Sequence, residues 1–325
     1  MPTVLGSLRR LLLAPSLEQV TFRRRGFPAT PSEVTHRLEA IPQAVICGFE
    51  WGIAARDQTE VERRLRLVTP ELRGFAYEGV TMAFTILDAT GGSRGNRTRD
   101  LLLGPGHPHI FLAYIGIGFA MARLPRPLWR RVVPDLTGSP YHPTMTWLAV
   151  DGYGFDRAYF DTRTWVYGQR RVSRYPWQGT PDYFPRAADQ GVGRALWFIH
   201  GANPTRVASA VAGFASTRRA DLWSGVGLAA AFAGGCGPDG LTALRRDAGE
   251  DWPEIAQGAV FAAKARAFSG VVPDHTRIAV VALTDLTVDA AAALADAAEV
   301  PSGGQGGVPS YELWRKNVRA HFTGG

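Results

Sequence analysis

The sequence predicts a mainly α-helical repeat array of the α/α-superhelix kind, and three observations carry that expectation. A glycine motif returns at near-regular intervals, each copy lies in a largely apolar window of helix length, and one aromatic and basic insertion, around residues 161–188, breaks the pattern. The motif is Gly79-Val-Thr-Met-Ala83. Its echoes are Gly116-Ile-Gly-Phe-Ala120, Gly152-Tyr-Gly-Phe-Asp156, Gly191-Val-Gly-Arg-Ala195, Gly225-Val-Gly-Leu-Ala229 and Gly258-Ala-Val-Phe-Ala262. Successive first glycines lie 37, 36, 39, 34 and 33 residues apart, which is the range of helical repeats. Glycine inside a helix costs about 0.5–1 kcal/mol relative to alanine, so its recurrence needs a compensating gain. In five of the six copies alanine follows four positions later, leaving one face nearly bare for a neighbouring backbone or a flat ligand. The motif helices are therefore expected on the inside, ringed by outer partners.

Size and composition agree with a globular array. A chain of 325 residues, 46% hydrophobic, can bury a substantial core. The formal charge of +7 is carried almost wholly by arginine, since Lys264 and Lys316 are the only lysines. The arginines are scattered, apart from Arg23–Arg25 and Arg130–Arg131, and no basic helix, zinc finger or single-strand-binding signature accompanies them. A nucleic-acid partner is not expected; a solvated arginine-rich surface, or a pocket for an anion, is. Cys47 and Cys236 are too few for a zinc site or a disulfide framework. The leucine run after Arg9 and Arg10 is cut short by Pro15 and Glu18, and the longest apolar run, Ile110 to Ala122, falls short of the roughly 20 residues of a membrane span. The expectation is a cytoplasmic protein with no membrane span.

Along the chain, residues 1–30 form a basic N-terminal segment, 31–300 the helical repeat domain, and 301–325 a glycine-rich connector with a C-terminal helix. Residues 33–67 read as helical on either side of a break near Pro42, with Val34, Leu38 and Ile41 before it and Val61, Leu65 and Leu67 after. Asp57 followed by Glu60 has the spacing of a helix N-cap with an acidic first turn. His107-Pro-His109 predicts a turn opening the apolar Ile110 helix. Asp189 and Asp221 precede their repeat helices and are expected near the helix starts. In the insertion, Trp165–Tyr167 suggests a short strand, and Pro176 to Pro185 cannot be one continuous helix. A long irregular stretch of this kind serves as a lid, a binding loop or an interface arm. The last segment places Tyr311, Leu313, Trp314 and Val318 on one apolar face, which needs a groove on its own subunit or on a second one; a homodimer is expected.

Five blocks, FAYEGVTMAF at 75–84, DGYGFDRAYF at 151–160, DQGVGRALWF at 189–198, RADLWSGVGLA at 219–229 and AQGAVFAAKAR at 256–266, together resemble the UnbL-like family of bacterial enediyne biosynthesis clusters. The resemblance runs from the opening MPTVLGSLRRLLL nearly to the C-terminal helix. It implies the handling of a hydrophobic, polyketide-derived polyene or enediyne intermediate, or assistance to a pathway enzyme that makes one. It brings no catalytic signature, so site residues follow from chemistry alone.

The densest mixture of charge and aromaticity is residues 151–160. Tyr153 and Asp156, three apart, share a helix face, and Asp151 opens the block. A carboxylate beside a phenol in an apolar cleft can act as acid or base if burial raises its pKa; the alternative is an Asp156–Arg pair within packed aromatics. Glu78, Gln190 and Gln257 hold the same position relative to their repeat glycines. With Asp189, Arg194 and Lys264 they either line a cavity as a polar ring or satisfy one another between repeats. The candidate catalytic set is thus Asp156, Tyr153, Glu78 and Asp189. Tyr77, Trp197 and Trp223 form either a stacking wall or core, and Trp177 in the insertion can cover an apolar ligand. No histidine or cysteine spacing supports a metal site, no fingerprint supports a dinucleotide or phosphate loop, and no cofactor is expected. Three functions remain: a cofactor-independent rearrangement, cyclisation or hydration of a polyunsaturated intermediate, a non-catalytic binding or scaffold role, or a structural solenoid whose convex surface binds protein.

Overall fold

The computed structural model describes residues 14–91, 95–301 and 307–323, and it is a helical repeat array with no extended strand among them. After a 3₁₀ turn, Leu17–Val20, and a single helical turn, Phe22–Arg25, the helices are α1 (Glu33–Ala54), α2 (Gln58–Leu65), α3 (Pro70–Thr90), α4 (Arg97–Leu103), α5 (Ile110–Arg123), α6 (Trp147–Phe160), α7 (Phe184–Ile199), α8 (Pro204–Ala212), α9 (Ser216–Ala233), α10 (Pro238–Asp247), α11 (Trp252–Ser269), α12 (Asp274–Thr284), α13 (Val288–Ala298) and α14 (Ser310–Thr323). They divide into two compact units, Met1–Gly26 with Glu39–Tyr153, and Phe27–Leu38 with Gly154–Gly325. Two of the divisions fall inside α1 and α6, and the third follows the turn Phe22–Arg25.

The glycine motif does more than bare one face. At 100° per residue, positions two apart point about 200° apart around a helix, so Gly-x-Gly bares both flanks. In the first unit, a Cβ on Gly116 would lie 2.1 Å from the Glu78 carbonyl oxygen of α3, and one on Gly118 would lie 2.1 Å from that of Ala149 on α6. In the second unit, Gly225 meets the Gln190 carbonyl of α7 at 1.9 Å, and Gly227 meets that of Ile255 on α11 at 2.1 Å. The first glycine thus seats the preceding inner helix and the second seats the following one. Nothing larger than hydrogen fits at these crossings, and the close backbones gain dispersion and Cα–H···O contact in return. At the first and last copies one of the two glycines is absent, its place taken by Thr81 after Gly79 and Val260 after Gly258. In the fourth copy, Gly193 makes the close approach, to Leu222 of α9.

In the first unit, α2 and α4 pack on α3 through Val61, Leu65 and Leu101 against Ala76, Tyr77, Val80 and Phe84. Asp57 caps α2, its carboxylate accepting the Glu60 N–H at 2.9 Å. The break expected at Pro42 does not occur: α1 runs through it. Proline supplies a helical φ and forfeits one amide bond, and here it stands on a half-buried flank. The turn His107–His109 opens α5, whose residues Ile110 to Ala122 are all buried.

In the second unit the inner row is α7, α9, α11 and α13, each packed on the next, with α8, α10 and α12 outside them. Asp189 and Asp221 lie inside their helices rather than at the starts, because α7 begins at Phe184 and α9 at Ser216. The strand expected at Trp165–Tyr167 is instead a π-helical turn, Arg163–Tyr167. The Thr162 hydroxyl donates to the Ala158 carbonyl and the Gly168 amide to that of Arg163, so the chain keeps coiling after α6. The rest of the insertion is irregular up to Tyr183, with Trp165, Trp177 and Tyr183 buried. The C-terminal helix α14 lies against α11 and α13, and Tyr311, Trp314 and Val318 are enclosed there. The apolar face that motivated a homodimer therefore finds its groove within its own unit. Among the described residues no single helix is long and apolar enough to cross a membrane.

Candidate functional site

The richest chemistry in the second unit gathers where α7, α9 and α11 meet α14. Arg315, with no exposed surface, donates from Nη1 to Asp221 at 2.9 Å, Glu312 at 2.9 Å and the Tyr183 oxygen at 2.7 Å, and from Nε to Gln257 Oε1 at 2.9 Å. Arg186 grips both Asp221 oxygens, at 2.9 and 3.2 Å, and reaches Glu312 at 3.1 Å. Tyr183 O–H donates to Glu312 at 2.7 Å, and Arg319 donates to the other Glu312 oxygen at 2.8 Å while lying 3.6 Å from Glu254. The arginines 186, 315 and 319 balance the carboxylates 221, 254 and 312.

Two of the sequence-predicted positions join this cluster. Gln257 Oε1 accepts from Ser224 Oγ at 2.8 Å as well as from Arg315, and Gln190 Nε2 reaches the Tyr311 hydroxyl at 3.0 Å. Asp189 forms a separate bidentate pair with Arg218, at 2.6 and 3.0 Å, and the Gln169 carbonyl of the insertion accepts from the same guanidinium at 2.8 Å. Asp189, Gln190 and Gln257 thus each bond a side chain on a neighbouring helix. Lys264 pairs with Asp296 at 2.6 Å, and Arg194 lies 4.8 Å over the Phe155 ring.

Electrostatics follow from this packing. Burial alone would raise the Glu312 carboxyl, but Arg315, Arg319, Arg186 and the Tyr183 hydroxyl outweigh it and hold the group at about 2. Burial pushes Asp189 above its ordinary value against the pull of Arg218. It also pushes Tyr183 far up, so its phenol stays protonated and donates. A carboxylate held so far below neutrality is a weak general base.

The remaining candidates divide between the units. Glu78, Tyr77, Asp151 and Tyr153 belong to the first, where all four are buried. Tyr77 stacks on His109 with ring centroids 4.7 Å apart, and Tyr153 meets Trp129 edge-on at 5.0 Å. Asp156, Trp197, Trp223 and Trp177 belong to the second and are also buried. Trp197 is fully enclosed with its indole N–H on the Gly234 carbonyl at 2.8 Å, which makes it core. Among the described residues no group of three or more histidine, cysteine or acidic side chains is placed to hold a metal.

The sequence reading missed Arg186, Arg218, Glu312 and Arg315, and it took Asp221 for a cap. One signal was available: Glu312, Arg315 and Arg319 recur at helical spacing beside the apolar Tyr311, Trp314 and Val318, so they share the buried side of α14. Neither the curated proteins nor the solved structures contain a significant match to the chain. Residues 4–322 match a family described as a protein of unknown function (DUF1702), and the chain belongs to that family.

Proposed function

We propose that this protein is a non-catalytic binding or scaffold protein that works through its surface, in a pathway that builds a hydrophobic polyketide-derived polyene or enediyne. The observation that carries the reading is the engagement of the buried acidic and amide side chains of the second unit with one another's helices. Asp189, Asp221, Gln190, Gln257 and Glu312 all engage partners on other helices, and Glu312 is held near 2. Groups so engaged fix helices, and a carboxylate held as Glu312 is by three arginines and a phenol is a poor acid or base for chemistry on an intermediate. The pathway itself rests on the resemblance of the five repeat blocks to UnbL-like proteins.

The test incubates purified protein with a polyene extract of the pathway and with the purified enzyme that makes the polyene, following mass, absorbance and co-elution. Binding or scaffolding predicts a retained, chemically unchanged polyene or a stable complex with the enzyme, equally for wild type and Asp156→Asn. A new product made by wild type and lost in Asp156→Asn overturns the reading and restores catalysis.

A further inference from the structure

The first unit carries a polar feature of its own. A cleft of about 710 Å³ is lined by Asp88, Asn96, Arg99, Arg130, Arg131 and Asp135, with Gly91, Gly95, Val133 and Pro134 completing it. The volume is in the range of small-molecule sites, and its lining is polar where such sites are mostly apolar. Three arginines and two aspartates line it. Both carboxylates have partners of their own: Asp88 accepts from the Thr98 amide and hydroxyl, each at 2.9 Å, and pairs with Arg97 at 3.4 Å, while Asp135 accepts from the Thr137 amide at 3.0 Å and hydroxyl at 2.6 Å. Arg99 is held at the wall by a bond from Nε to the Asp135 carbonyl at 3.3 Å. The side chains of Arg130 and Arg131 make no hydrogen bond or ion pair among the described residues.

The backbone that presents this arginine pair is pinned. Trp129, the residue before it, is buried, and its indole N–H is shared between the Met121 and Leu124 carbonyls at 3.0 and 3.2 Å. Val132, the residue after it, and Leu136 are also buried. The opposite wall is fixed by the Asp88–Thr98 bonds. The pair therefore stands in a concave site on anchored backbone rather than on a loose loop. A guanidinium presents an N–H fork that matches the oxygens of phosphate bidentately, and three arginines lining one cleft suit a multiply charged anion better than a single carboxylate.

We propose that this cleft is a binding site for a phosphate-bearing ligand, gripped by Arg130 and Arg131 with Arg99 at its side. The test is calorimetric titration of the full chain with inorganic phosphate and with pyrophosphate, repeated for Arg130→Gln/Arg131→Gln and for a control pair of the second unit, Arg245→Gln/Arg246→Gln. Arg130 and Arg131 are both exposed, so their replacement leaves the fold intact, which circular dichroism checks. Pyrophosphate is expected to bind, more tightly than phosphate, with at least a tenfold loss in the cleft variant and none in the control. Pelleting with phosphatidylcholine vesicles with and without phosphatidic acid identifies the source: cleft-dependent pelleting assigns a lipid headgroup, and cleft-dependent binding of pyrophosphate alone assigns a soluble phosphate ester. Absence of binding to every probe, undiminished binding by the cleft variant, or an equal loss in the control overturns the site.

Discussion

The two units bring their inner helices together by one device and secure their outer elements by two. In both, glycines on opposite flanks of a helix let its neighbours approach to backbone contact. In the first unit the flanking elements are then held by apolar side chains: Val61, Leu65 and Leu101 on α3, and Trp129 beneath its turn. In the second, α14 is seated by charge as well, through Arg315, Glu312 and Arg319 reaching Asp221, Arg186 and Glu254. The difference matters because apolar packing tolerates imperfect fit, whereas a buried ion left without its partner costs several kcal/mol. The seat of α14 in the second unit is thus specific and sensitive to single polar changes.

The shared device is the easiest to break. Gly225→Leu or Gly118→Leu forces side-chain atoms into a backbone carbonyl about 2 Å from where the Cβ must go. Each is expected to abolish the native fold of its unit, read as loss of a cooperative thermal transition. An equal loss from both would show that the crossings carry the same weight in the two units.

Acid sharpens the contrast. The Glu312 carboxyl sits at about 2 in the folded chain against an ordinary 4.5. A depressed carboxyl contributes stability that is present above the ordinary value and lost as pH falls through the folded one. About 3 kcal/mol is therefore withdrawn between pH 4.5 and 2. Chemical denaturation across that window should show the second unit weakening, and Glu312→Gln should flatten the dependence.

Tyr183→Phe removes the donor to Glu312 and an acceptor from Arg315. About 1–2 kcal/mol should be lost, measured as a shift in denaturation midpoint at constant slope. The smallest effect is expected at Gly237→Ala, where an added Cβ meets nothing within 4 Å; the change should stay within about 0.5 kcal/mol. A large loss there would mean that glycine sensitivity in the second unit is not confined to the crossings.

Much of this architecture could be read from residues alone, and the reasons differ element by element. The repeat was legible because interior glycine is costly, so its return at near-regular spacing marks a structural need. Its geometry was only half legible: the Gly-to-Ala spacing suggested one bare face, while the crossings use Gly-x-Gly on opposite flanks. Asp57 was legible as a cap because capping is local. Asp221 was not, since nothing nearby in sequence shows that Arg186 and Arg315, 35 and 94 residues away, converge on it. Gln190 and Gln257 were found as repeat-equivalent polar positions, but whether such groups line a cavity or satisfy one another depends on α14, which enters the network from the far end of the chain. Pro42 failed as a breaker because proline's cost in a helix is finite and a half-buried flank absorbs it. The expectations placed on residues 1–13, 92–94 and 302–306 lie outside the described residues.

Hydrogen–deuterium exchange of Arg315→Met against wild type tests most directly whether the buried charges of the second unit exist to seat α14. Removing this guanidinium leaves Asp221 and Glu312 short of a partner, a loss of about 3–5 kcal/mol. The account predicts that amides of residues 310–323 lose protection by a factor of roughly 10²–10³ or more, while those of α5 in the first unit are unchanged. Unaltered protection in α14, or the same loss in α5 as in α14, would contradict it.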